Sequence, residues 1–174
     1  MVLYANSQNF SLARGVYVFG MVDVPGTVAA NAFFSVMNPA MSGIRHEVVD
    51  LRFGLYSIGN VSSPNSLAGY RITGHSGGSV YSPATVEKFA PGMPNPLSEI
   101  RISNPTVTGM ASTPLVFKSA IIAVGGGNTS ATDLPVPQGG SFDAFQGGGF
   151  VAMTAAGDPN QRWSFNYTFA EYRL

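Results

Sequence analysis

The stretch RWSFNYTFAEY (Arg162–Tyr172) places Trp163, Phe165, Tyr167 and Phe169 at every second position, with Ser164, Asn166 and Thr168 between them. Successive side chains of an extended strand point to opposite faces, so this spacing gathers the four aromatics on one face. A helix, with about 3.6 residues per turn, would scatter them around its circumference. The stretch reads as a half-buried antiparallel strand with its aromatic face against a core. A sugar-stacking platform would need the same four rings turned outward in a surface groove.

The same period recurs in HEVVDLRFGLY (His46–Tyr56), where Val49, Leu51, Phe53 and Leu55 are expected on one face and Val48, Asp50, Arg52 and Tyr56 on the other. Shorter strand candidates are GVYVFG, NAFFSVM, GYRIT, SVYS, EIRIS, PTVTG, LVFKSAIIAV, SFDAF and GFVAM. Turn signals separate them, among them Pro25-Gly26, Asn38-Pro39, Ser63-Pro64-Asn65, Gly77-Gly78, Asn104-Pro105 and Asp158-Pro159. Many short strands punctuated in this way predict an all-β antiparallel sandwich or barrel. One short helix is expected over Pro83–Phe89, capped by Ser82 and ended by Pro91. Ser57–Pro96 is less regular and reads as a long connection. The whole is one domain over 14–174, preceded by an extended arm over 1–13.

The corner NPAMSG (Asn38–Gly43) joins two apolar runs. Asn38 is expected to start a turn whose φ Pro39 sets, with Gly43 taking a positive φ at the exit. Met41 stands at its tip as an apolar residue without an obvious core partner.

Charge excludes several functions. Asp, Glu, Lys and Arg make up 10% of the chain with zero net charge, against about 25% in an ordinary domain. The only lysines are Lys88 and Lys118, so no basic patch for phosphate neutralisation can form and nucleic acid is not an expected partner. Two accounts of the low charge remain: a Ser/Thr/Asn-rich surface, or a surface covered by neighbouring subunits. Apolar content of 45% supports a core rather than disorder. The chain has no cysteine, which excludes disulfides and thiolate sites. No apolar run reaches the length of a membrane-spanning helix, and the first residues lack the pattern of an export signal.

Chemical motifs are sparse. GHSGG (Gly74–Gly78) matches the G-x-S-x-G elbow of serine hydrolases, but that motif needs a helix after the serine, and here strand-like SVYSP follows. No histidine follows His75, and His46 and Asp50 would stand about 13 Å apart along one strand. There is no H-x-H, HExxH or Asp-rich calcium loop, so no metal is expected. The clusters GGGN and QGGGF lack the Lys-Ser/Thr of a phosphate loop. Sequons at Asn9, Asn60, Asn128 and Asn166 read as chance matches of a short pattern. No catalytic residue, cofactor or metal ligand is nominated.

The order of features resembles a family. NPAMSG (Asn38, Pro39, Ser42, Gly43) leads into a long alternating strand. A proline-led glycine loop follows much later (Pro137, Gly139, Gly140), and the final strand carries Trp163 and Glu171. This resembles the small jelly-roll cement or decoration proteins of tailed-phage virions. The resemblance implies an antiparallel β-sandwich of jelly-roll type. It also implies a capsid protein on the outer surface of the head, forming a homotrimer and clamping the major capsid protein, with neither membrane nor cofactor involved. Contact residues expected on this reading are Leu3, Tyr4 and Phe10 in the arm, and Met41 and Met93 in loops. The rival readings are a tail, fibre or baseplate β-domain and a lectin-like jelly-roll module.

Overall fold

A computed structural model of the chain describes residues 13–26, 31–58, 63–122, 131–133, 142–144, 146–154 and 159–174. The arm expected over 1–13 lies outside them except for Ala13. Two six-stranded sheets pack face to face as an antiparallel sandwich. Its long strands are β1 (Ala13–Pro25), β2 (Asn31–Met37), β3 (Ile44–Ile58), β4 (Ser63–Ile72), β10 (Val116–Ile122), β13 (Gly149–Thr154) and β14 (Gln161–Arg173). The shorter ones are β5 (Gly74–Ser76), β6 (Ser79–Tyr81), β7 (Glu87–Lys88), β8 (Glu99–Ile102), β9 (Thr106–Thr108), β11 (Ala131–Asp133) and β12 (Phe142–Ala144).

The pairings follow one scheme. The first long strand pairs with the last (β1 with β14), the second with the next to last (β2 with β13), β3 with β11 and β12, and β4 with β10. A chain doubled back on itself and rolled up in this way is a jelly roll. One sheet has the order β11-β3-β14-β1-β7, with β12 also on β3, and the other β10-β4-β13-β2-β8-β6. The insert between β4 and β10 supplies β6 and β8 to one sheet and β7 to the other. Its remaining strands, β5 and β9, form a two-stranded flap. Val107 of the flap packs on Ala32, Met37, Ile72 and Val151 of the second sheet's outer face.

The core is largely aromatic. Trp163, Phe165, Tyr167 and Phe169 are all buried between the sheets, where Phe165 stacks on Phe34 of the opposite sheet with ring centroids 4.8 Å apart. The alternation in β3 departs from the expected one. Val48, Leu51 and Phe53 face the core, whereas Val49 packs with Val16, Ala170 and Tyr172 on the outer face. The register against β14 passes from Thr168↔Asp50 to Phe169↔Val48. Val49 is therefore the extra residue of a β-bulge, and the bulge exchanges the two faces of the strand.

Other expectations need correction. The helix over Pro83–Phe89 is a single 3-10 turn, Pro83–Thr85, and Glu87–Lys88 then pairs with Tyr17 and Val18 of β1. Ser82 makes no side-chain cap; its carbonyl accepts from Thr85 N at 3.0 Å and Thr85 Oγ1 at 2.8 Å. Ser63-Pro64-Asn65 is not a turn but the start of β4, paired with β10. The irregular segment 57–96 therefore includes a full central strand, and the insert proper begins after Ile72.

Candidate functional site

The corner between β2 and β3 is built on Asn38, which is 0% exposed. Its Nδ2 donates to the carbonyls of Ile44 (2.8 Å) and Ala144 (2.9 Å), and its Oδ1 accepts from Ser42 Oγ (2.6 Å). Its backbone N donates to Gly148 O, and its carbonyl accepts from Gly147 N, both at 2.9 Å. One asparagine thus ties β2, β3, β12 and the loop before β13 together with every polar group used. The turn forms one residue later than expected, with Ser42 N donating to Pro39 O at 3.2 Å. Gly43 has φ +69° as expected, but Met41 also takes a left-handed φ of +59°, and its side chain is 92% exposed.

Several segments meet at this end of the sandwich. The backbone of Leu174, 70% exposed, donates to Gly43 O at 3.0 Å. β1 starts here, with Ala13 opposite Tyr172. The loop carrying Met93, which is half-buried, is held by Tyr17 Oη donating to Pro94 O (3.1 Å) and Arg14 donating to Asn95 O (2.9 Å). Leu97, 44% exposed, follows it. Leu3, Tyr4 and Phe10 lie outside the described residues.

A buried polar cluster underlies the same end. Glu171, 0% exposed, continues the inward row of β14 one step beyond Phe169. Its carboxylate accepts from Arg14 (2.6 Å), Leu97 N (2.9 Å) and Ser98 N (2.8 Å). Ser98 Oγ lies 2.7 Å from His46 Nδ1, and His46 Nε2 lies 2.6 Å from Tyr167 Oη. Burial pushes the His46 pKa down to about 3 and that of Tyr167 well above its ordinary value. A neutral imidazole has one donor and one acceptor, and the two hydroxyls can meet both. Burial, then the Glu171 carboxylate, raise Tyr17 to about 12, against Arg14. The sequence signal for this cluster is a charged residue in phase with an aromatic row.

The second histidine belongs to the flap strand β5, opposite Val107. His75 Nδ1 lies 2.8 Å from Ser35 Oγ, which is 0% exposed. Glu99 Oε1 stands 3.3 Å from His75 Nε2, near enough for charge pairing when the ring is protonated. Arg101 Nε donates to the same oxygen at 2.6 Å. Burial lowers the His75 pKa, Glu99 raises it and Arg101 lowers it further. The neighbouring Ser76 lies on β5 opposite Thr106; Gly77 and Gly78 at positive φ then lead into strand β6, where a nucleophile elbow would open a helix. Among the described residues no three metal-ligating side chains come together.

Comparison with protein-family models, curated proteins and solved structures gave no match.

Proposed function

We propose that the chain is a structural virion protein, a cement or decoration protein that binds between major capsid protein subunits on the outer surface of a phage head and associates with itself as a trimer. Met41 carries this reading. A left-handed backbone costs a residue with a Cβ about 1–2 kcal/mol relative to its normal region, and at 92% exposure the side chain recovers almost nothing from its own subunit. The exposure alone would be ordinary; it is the left-handed backbone at this apolar tip that we read as a contact point for another chain. The corner is rigid, because Asn38 fixes it from within. Exposed Leu174 and Leu97 lie at the same end, and the low charge of the chain suits a surface that neighbours cover.

The test is light scattering of the purified protein, alone and with empty heads of its own phage. A trimer that co-sediments with heads is expected. Met41→Gly should fold at least as stably as the parent, because it relieves the backbone, and should bind heads at least about tenfold more weakly, as loss of an anchoring side chain does. A monomer without affinity for heads, or unchanged binding by Met41→Gly, would overturn the reading.

A further inference from the structure

A trough of about 570 Å³ lies on the outer face of the first sheet, across β1, β14 and β3. Asn166 stands between Gly20 of β1 and Arg52 of β3, and Ser164 is paired with Gly54 of β3. Val22 lies in the irregularity of β1 between Met21↔Phe165 and Val24↔Trp163, and is 80% exposed. The two glycines mark the low corners, while Arg52 and Val22 form the high ones. Gly20 has an internal reason to be glycine, because a Cβ there would stand 2.9 Å from Phe165 O. Gly54 lacks one of that strength: among the described residues, a Cβ would meet the rotatable hydroxyl of Ser164, at 2.8 Å, and no backbone atom. Glycine inside a strand costs about 0.5–1 kcal/mol and often marks a place where something approaches the backbone closely.

We propose that this trough is a binding site for a neutral, hydroxyl-rich ligand of the pyranose-sugar class. The floor offers no strand edge, because β14 is laddered to β1 on one side and β3 on the other, so an extended peptide cannot add to it. The charges beside it are balanced, Arg52 with Asp50 at 2.8 Å and Arg162 with Asp23 at 3.3 Å, so the site does not select an ion. The rings of Phe53 and Phe165 belong to the core, so no aromatic plane selects a flat ligand. What remains is a close mixture of the Asn166 amide, the Ser164 hydroxyl and the Arg52 guanidinium, with the aliphatic side chain of Val22 opposite. That set matches the alternation of hydroxyls and C–H faces around a sugar ring. The volume falls in the range of small-molecule sites, about 300–1,000 Å³. Without an aromatic platform a single site binds weakly, and repetition on a symmetric assembly would supply avidity. The site stands independently of the capsid reading, and its test uses the isolated protein.

The experiment is amide NMR titration of the whole chain with glucose, galactose, mannose and N-acetylglucosamine, each at millimolar concentration. At least one should give saturable shifts centred on Gly20, Val22, Gly54, Ser164 and Asn166. Asn166→Ala should weaken that binding about tenfold, the equivalent of one hydrogen bond. Gly54→Val should abolish it by filling the trough, with the remaining spectrum and the melting temperature preserved. No saturable shift with any of the four sugars, or shifts that persist in both variants, would overturn the proposal.

Discussion

The two histidines of this chain make nearly the same first contact and differ in almost everything else. Each Nδ1 meets a buried serine hydroxyl, Ser98 at 2.7 Å and Ser35 at 2.8 Å. His46 then turns Nε2 to the neutral Tyr167 hydroxyl between the sheets, whereas His75, on the flap, turns it to the Glu99 carboxylate. Burial alone fixes His46 as a neutral link at about 3, while at His75 burial competes with an acid and is reinforced by Arg101. Depth and partner, rather than the His–Ser pair itself, decide whether the group is a fixed strut or a titratable contact.

The largest test of this contrast removes the acid from each cluster. Glu171→Ala removes the counter-charge of the Arg14 guanidinium, whose side chain is 14% exposed, and the acceptor of two backbone N–H groups. Breaking a buried pair from one side costs about 3–5 kcal/mol. Glu99 is 39% exposed and paired with partly exposed Arg101, so Glu99→Ala should cost about 0–1 kcal/mol. Urea denaturation measures both. Equal losses would break the comparison, because they would place the flap cluster in a core-like environment.

The next test is pH. His46 titrates at about 3 when folded and near 6.5 when unfolded. As pH falls below about 6.5 the unfolded chain takes up the proton and the folded one does not, so this group removes stability continuously until about pH 3, by up to about 1.4 kcal/mol per pH unit. The folded pKa of His75 is lowered too, so its contribution has the same sign, and Glu99 opposes the shift. Between about pH 6.5 and about pH 5, above the ordinary carboxylate range, His46→Gln should flatten the loss of stability more than His75→Gln does. The reverse order would mean that the flap holds its histidine drier than the sheets do.

These clusters also mark where the sequence stops being readable. The alternation in β14 is uninterrupted, so its aromatic face could be assigned from spacing alone. β3 carries an equally clear pattern, yet Val49 reverses it, because a bulge is a property of the pairing with β14 and leaves no mark in one strand's own spacing. His46 is drawn into the core by that reversal. Glu171 lies in phase with Phe169, but the spacing could not show that Arg14 and the backbone of Leu97 and Ser98 would converge on it from distant parts of the chain. The glycines around Ser76 read as a turn, although Gly74–Ser76 is a flap strand. Its partner β9 lies some thirty residues on, and pairing at that range is invisible to local propensity. At the corner, Met41 could be singled out as apolar and unexplained; its left-handed backbone could not.

The smallest expected effect separates the two histidines most directly. Glu99→Gln removes a negative charge 3.3 Å from His75 Nε2 while keeping the size of the side chain. Burial and Arg101 would then act on the ring unopposed, so His75 should titrate at a lower pH than in the parent. His46, with no carboxylate among the causes that hold it down, should not move. Ring C–H resonances followed against pH report both histidines in the same sample. A lower His75 midpoint with an unchanged His46 supports a charge contact at one ring and pure desolvation at the other. An unchanged His75 midpoint would show that the carboxylate does not act on the ring in solution, and the two sites would then differ only in depth.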